Sequence, residues 1–215
     1  MALNKLKFNS INVTPAASKA IRFNSSANGL ETADAGGSLV KLASSTASSS
    51  ASLSFTSSID STHKEYIFHF NNIHPASNSN LQFQTSTDGG SSYGVTVTTS
   101  FFYAYHNEAG NDQNVVYYAS RDLAQSTDFQ RLTGDNIESA GNDTSVSGYL
   151  HLFEPSSTTF VKHFFSNTNH VADTPYSENN FVAGYFNTTS AINAVQFKMT
   201  TGNMESGTIT MYGVK

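Results

Sequence analysis

The sequence predicts an all-β chain: an antiparallel β-sandwich, jelly-roll-like, preceded by an extended N-terminal arm. Three observations lead there. Apolar residues recur with a period of two, the spacing of a half-buried strand. Clusters of Gly, Asn and Asp punctuate the apolar runs as turns. No strand pattern alternates with a helical one, which argues against a βα-wound sheet. The 215 residues suit one large β domain plus an arm, divided as 1–40 (arm) and 41–215 (sandwich).

The arm is locally basic through Lys5, Lys7, Lys19 and Arg22. Its short apolar pieces, Leu6, Phe8, Ile11 and Val13, then Ile21, Phe23 and Leu30, are split by Pro15, Ala/Ser runs and Gly36-Gly37. That is too little apolar surface for a separate core, so the arm is expected to order against a neighbour. The Ser/Ala/Thr tract Ser44–Ser58 reads as a strand with small side chains in preference to a linker, because Leu53 and Phe55 alternate within it. Tyr66, Phe68 and Phe70 alternate with Ile67, His69 and Asn71, and Val195, Phe197 and Met199 alternate cleanly with polar residues; Ile209 and Met211 do the same between threonines. Turns are expected at Asp88-Gly89-Gly90, Gly110-Asn111-Asp112, Gly141-Asn142-Asp143 and Thr201-Gly202-Asn203. Phe160–Phe165 and Phe181–Phe186 are aromatic on both faces, the mark of central strands covered on both sides. Only Ala119–Leu132 looks helical, through Leu123, Phe129 and Leu132.

Composition narrows the function. The chain is 38% hydrophobic and 12% aromatic, enough for a core, yet only 13% charged, about half the usual share. Ser, Thr and Asn make up roughly a third of it. A net charge of −5 argues against a nucleic-acid partner, which needs clustered Lys and Arg. With no cysteine there is no disulfide, thiolate nucleophile, Fe–S cluster or Cys-ligated zinc. No apolar run reaches the roughly 18 residues of a membrane span, and MALNKLKFNS lacks a signal-peptide core. A soluble, cytoplasm-made protein without membrane insertion is expected.

A search for chemistry finds turns. Gly90-Ser91-Ser92-Tyr93-Gly94 matches the G-x-S-x-G nucleophile elbow, but that motif needs a following helix, and the β-branched run Val95–Thr99 disfavours one. The seven histidines form no H-x-H or H-E-x-x-H pair. Gly110–Asn114 and Gly141–Thr144 offer oxygens without the acidic spacing of a calcium loop. Glu108, Asp112, Asp135, Glu138 and Glu154 lie in loops with no recognisable catalytic setting. No enzyme, metal or cofactor is expected. The functional lead is aromatic: Phe101–Tyr105 and Tyr117-Tyr118 put rings on both faces of their segments. Tyr103, Tyr105, Tyr117 and Tyr118 therefore read as a subunit interface or a platform for stacking sugars.

Two segments resemble a known class of protein. Ser18–Glu31, with Lys19, Ile21, Arg22, Asn24, Leu30 and Glu31, is similar to a short K-x-L-R-x-N…L-E module of fibre, tail and decoration proteins of tailed bacteriophages. Ile21 stands where Leu is usual, and Thr32 where an aromatic often follows. Val195–Met199 with Gly202–Lys215 resembles the final hairpin of virion structural proteins, many from marine phages, and the Asp88–Tyr93 turn recurs in the same class. The resemblance covers about a quarter of the chain. It implies a non-enzymatic virion protein made in the bacterial cytoplasm, a homotrimer whose partners are its own copies and the major capsid or another virion protein. Leu6, Phe8, Ile11, Val13, Ile21 and Phe23 would bury on the particle, while Lys5, Lys7, Lys19 and Arg22 would meet an acidic surface. Capsid decoration (cement) is the first placement, a short tail or head fibre touching the host the second. A carbohydrate-binding module that takes a host-surface glycan is the alternative from another class.

Overall fold

The computed structural model describes residues 13, 16, 19–34, 38–141, 144–172 and 176–214. It divides into two compact units, 1–38 and 39–215. In the first, β1 (Lys19–Phe23) and β2 (Leu30–Asp34) form an antiparallel hairpin in the register Phe23↔Leu30 to Lys19↔Asp34. Asn24 closes the turn, its backbone N–H donating to Gly29 O and its side-chain amide to Asn28 Oδ1.

The second unit is the sandwich. Its strands are β3 (Leu39–Thr46), β4 (Leu53–Phe55), β5 (Glu65–Pro75), β6 (Leu81–Ser86), β7 (Val97–Asn107), β8 (Gln113–Tyr117), β9 (Gln130–Arg131), β10 (Val146–Phe153), β11 (Lys162–Val171), β12 (Tyr176–Phe186), β13 (Ala194–Met199) and β14 (Met204–Val214). An eight-stranded sheet runs β3-β14-β5-β10-β11-β12-β7-β8, and a four-stranded one runs β4-β13-β6-β9. Every strand pairing is antiparallel. Among the described residues no helix is long and apolar enough to cross a membrane.

Period-two alternation builds the core. Tyr66, Phe68 and Phe70 of β5 point inward, as do Phe164 of β11, Phe186 of β12, and Ile209 and Met211 of β14. Phe55, Phe83 and Phe197 of the smaller sheet meet them. Phe197 lies 5.3 Å from both Phe68 and Phe70, and Phe83 lies 4.9 Å from Phe164, in edge-on or tilted contacts that aromatic rings favour. A bulge between Ser206 and Thr208 bends β14 against β5. Gly207 has φ +107 there, and a Cβ would stand 2.4 Å from Asn72 O, so only glycine fits.

Three expectations need correction. Ala119–Leu132 is no helix: a single 3-10 turn covers Ala119–Arg121, and the chain then runs extended along β7. The Asp122 carboxylate takes the Phe101 N–H, Thr99 and Leu123 exchange bonds, and Val97 bridges Ser126, so pairing with the sheet replaces helical bonds. Ser44–Ser58 is two strand pieces, the end of β3 and β4, broken where Ser49 turns at φ +49. Phe160–Phe165 and Phe181–Phe186 do not lie under two layers. β11 and β12 are interior strands of the large sheet, but the smaller sheet packs on one face only, so Phe165 and Phe181 stay 38% and 36% exposed.

Phe197 touches aromatic rings from both sheets, so Phe197→Ala is expected to cost about 3–5 kcal/mol in urea unfolding. A loss below about 1 kcal/mol would mean that the sheets are not held through this cluster.

Candidate functional site

The arm residues divide. Lys5, Leu6, Lys7, Phe8 and Ile11 lie outside the described residues. Val13 is half-buried. In the β1–β2 hairpin, Ile21, Phe23 and Leu30 share one face by register, with Phe23 72% exposed. Lys19 is exposed on β1, and Arg22 on the other face pairs with Glu31 at 3.0 Å. Such a solvated pair stabilises little, but it already supplies Arg22 with its acidic partner.

The aromatic positions separate by face. β7 and β12 run in unbroken register from Asn107↔Tyr176 to Val97↔Phe186. Phe102 therefore stands opposite Phe181, and their rings stack 4.9 Å apart and 7° from parallel on the outward face. Tyr117 of β8 pairs with Phe102 on that same face and is 62% exposed, its hydroxyl donating to Asp122. Across β11 and β10 the surface continues through Phe165, stacked on His151 at 4.5 Å, and Tyr149. Small residues open a groove in it, about 520 Å³, lined by Phe153, Phe165, Ser100, Ala183, Gly184 and Tyr185.

Tyr103, Tyr105 and Tyr118 turn inward instead. Their rings form a chain, Tyr118–Tyr103 5.3 Å and Tyr103–Tyr105 5.8 Å, and Tyr176 meets Tyr105 at 5.4 Å and 82°. With Asp112, Asp135 and Glu178, Tyr103, Tyr105 and Tyr176 line a cavity of about 220 Å³. Two of the acids singled out from sequence, Asp112 and Asp135, thus converge here. Glu108, Glu138 and Glu154 do not line it, and Glu154 instead pairs with Lys64 at 3.3 Å.

The cavity wall is tied by hydrogen bonds. The buried Asn80 amide donates to Asp135 O at 2.6 Å and to Thr133 Oγ1, while Arg131 donates to Asn80 Oδ1, fixing the loop after β9. Gly134 N–H donates to Asn180 Oδ1 at 2.8 Å, and Asp135 N–H to Glu178 Oε2 at 3.2 Å. A Cβ on Gly134 would sit 3.0 Å from Glu178 Oε2 and 3.1 Å from Asn180 Oδ1, so any larger residue would push these two side chains back by a few tenths of an ångström. Asn180, oriented by Gly134, donates its amide to His170 Nδ1 at 3.1 Å. That leaves the His170 proton on Nε2, which makes no hydrogen bond and faces Glu178 Oε2 at 3.6 Å. Burial drives His170 down to about 4, with the polar backbone of Asp135 acting the other way, so the ring is neutral near pH 7. Burial first, then the charges of Asp135 and Glu178, pushes the Tyr103 phenol up to about 12. Tyr105 is raised by desolvation and by Asp112, and Tyr176 first by its hydrogen bond to Asp112.

Ser92 sits in the Asp88-Gly89-Gly90 turn between β6 and β7, its hydroxyl donating to Asp88 Oδ2 at 2.6 Å. Glycines at φ +74 and +89 make that turn, and hydrogen bonds from Ser86 and Ser92 hold the Asp88 carboxyl well below the usual range. Among the described residues no group of three or more His, Asp or Glu side chains is placed to hold a metal ion.

Sequence reasoning missed Glu178, Asn180, His170 and Tyr176. The available signal was polar residues at the inward parity, set by Phe186 and Val182 on β12 and by Phe164 on β11.

The unfolded chain takes a proton on His170 near its ordinary value of 6.5, whereas the folded chain resists until about 4. Stability is complete above pH 6.5 and falls as pH drops from 6.5 to 4, by about 3 kcal/mol from this group. Urea midpoints across that window are expected to fall less steeply in His170→Gln; an unchanged slope would show that His170 is not buried neutral. Compared with protein-family models, curated proteins and solved structures, the chain matches none.

Proposed function

We propose that the chain is a non-enzymatic structural protein of a bacteriophage virion, a capsid decoration protein that assembles as a homotrimer through the outward face of its large sheet. The carrying observation is that face: stacked Phe102 and Phe181, with Tyr117, Phe165 and Tyr149, stands exposed beside an apolar groove of about 520 Å³. Contiguous exposed aromatics on a sheet mark an association surface. The resemblance of Ser18–Glu31 and of the β13–β14 hairpin to phage fibre and decoration proteins supplies the setting. The N-terminal arm is the anchor. Ile21, Phe23 and Leu30 present an apolar edge in the hairpin, and each side chain buried on the particle contributes about 1.5–3 kcal/mol. Three copies raise the effective concentration of the second and third anchors.

A tail- or head-fibre placement is the second reading, in which the parallel Phe102–Phe181 pair stacks a host glycan. In that case the free protein binds the glycan, and the arm is dispensable for that binding.

Light scattering after size exclusion is expected to give the mass of three chains for the full-length protein. Phe102→Ser with Phe181→Ser is expected to give monomers that remain folded, because both rings lie outside the core. A wild-type monomer, or a double variant that remains trimeric, would sink this interface. Residues 39–215 hold the entire described core, so the chain lacking 1–38 is expected to fold and yet fail to join particles. Normal incorporation of that truncated chain would overturn the anchor.

A further inference from the structure

The inward cavity between β7, β12 and the loop after β9 has its own chemistry, independent of the outward face. Three features meet there. Tyr103, Tyr105 and Tyr176 supply aromatic surface, and Tyr105 and Tyr176 meet in an edge-on contact, 82° apart. Asp112, Asp135 and Glu178 supply negative charge. The ion pairs formed among the described residues leave Asp112 and Asp135 without a Lys or Arg partner. Buried beneath them, His170 presents an Nε2–H that makes no hydrogen bond and faces the Glu178 carboxylate lining the cavity. Because Asn180 donates to its Nδ1, His170 is neutral and brings no positive charge to Asp112 or Asp135.

We propose that this cavity binds an organic cation, an alkylammonium group such as a lysine side chain or a free amine. Tyrosine faces carry the negative lobe of the ring quadrupole and attract cations that lie over them. Tyr105 and Tyr176 both donate their hydroxyls to Asp112, at 3.4 and 2.9 Å, which pushes electron density back into the rings and strengthens that attraction. The same cluster already holds one cation: the Arg121 guanidinium carbon lies 4.7 Å from the Tyr118 ring centre, on a tyrosine that packs against Tyr103. A volume of about 220 Å³ is below the roughly 300 Å³ at which pockets for larger ligands begin, which suits a side-chain-sized guest. A metal ion fits less well, because the carboxylates are not placed as a ligand set. The negative field also shows at Tyr103, whose ionisation is displaced upward to about 12 by burial and by Asp135 and Glu178.

The test is an NMR titration of the ¹⁵N-labelled full-length protein with n-butylammonium and with Nα-acetyl-lysine methylamide. The uncharged n-butanol and methyl glucoside serve as controls. Saturable shifts at the Gly134 and Asp135 amides are expected, with a dissociation constant in the millimolar range that weakens severalfold between 20 and 200 mM salt. The two controls are expected to leave those amides in place. Equal binding of both cations would point to a lysine side chain of a protein partner, and binding of n-butylammonium alone to a free amine. Asp112→Asn, on the exposed β7–β8 turn where folding is least at risk, is expected to weaken binding about tenfold, and Asp135→Asn likewise. Absence of saturable shifts, or n-butanol acting as well as n-butylammonium, would overturn the proposal. So would methyl glucoside binding where the cations do not. The titration does not depend on the oligomeric state, so its failure leaves the virion reading standing.

Discussion

A four-stranded sheet cannot cover an eight-stranded one, and the rest of the structure follows from that mismatch. At about 4.8 Å between neighbouring strands, four surplus strands leave on the order of 19 Å of inner face without a facing sheet. Where β4, β13 and β6 do reach, the inner face is phenylalanine, and Phe55, Phe83 and Phe197 interlock with Phe68, Phe70, Phe164 and Phe186. Where they do not, chain without regular structure must serve as the lid. Such chain brings unpaired backbone N–H and C=O groups that need partners. The inner face beneath the lid therefore changes from rings to Thr168, His170, Glu178 and Asn180.

Thr168, Glu178 and Asn180 are each matched to a lid atom. Thr168 Oγ1 donates to Leu132 O, Asn180 Oδ1 takes the Gly134 N–H, and Glu178 takes the Asp135 N–H. Asn80, buried at the start of the smaller sheet's β6 region, secures the same loop from the other side. A network of this kind specifies one loop conformation, since a half-made version leaves buried polar atoms unsatisfied. Lys162 shows the same logic elsewhere: fully buried, it donates to Phe160 O and Thr188 O and so ties down two segments at a sheet end. His170 Nε2 is an exception, and it lies beside the cavity.

The strands were legible because alternation is a local property. Phe68-His69-Phe70-Asn71 declares its two faces within four residues, and Asp88-Gly89-Gly90 declares a turn, with glycines at positive φ as that composition implies. Sheet width was not legible, because it depends on which distant strands pair. Without it, aromatics on both faces of β11 and β12 read as double burial, when one face is exposed. The apolar spacing of Leu123, Phe129 and Leu132 resembled a helix, but the segment runs along β7 as far as Ser126 and then pairs with β6 as β9, with Leu123 packed on the core and Leu132 buried in it. The cavity was half visible. Tyr103 and Tyr105 share a parity and do line it together, whereas Tyr117 and Tyr118 are adjacent and had to part, one outward and one inward. Glu178 lies 73 positions from Tyr105 in the chain, and only the β7–β12 register sets them opposite each other.

That register carries both surfaces at once. The two eleven-residue strands pair from Asn107↔Tyr176 to Val97↔Phe186 without a bulge. Phe102 and Phe181 face out and Tyr103 and Asn180 face in, alternately along the same ladder. A slip of one residue would exchange the faces, placing Phe181 under the polar lid and the charged wall of the cavity on the outer sheet. Gly184 guards against this: a Cβ there would stand 2.4 Å from Thr98 O, so the neighbours packed this tightly admit glycine alone at that position, and a slip would bring Ala183 or Tyr185 into it. The outward aromatic surface and the inward anionic cavity are thus two faces of one ladder, and neither can be repositioned without displacing the other.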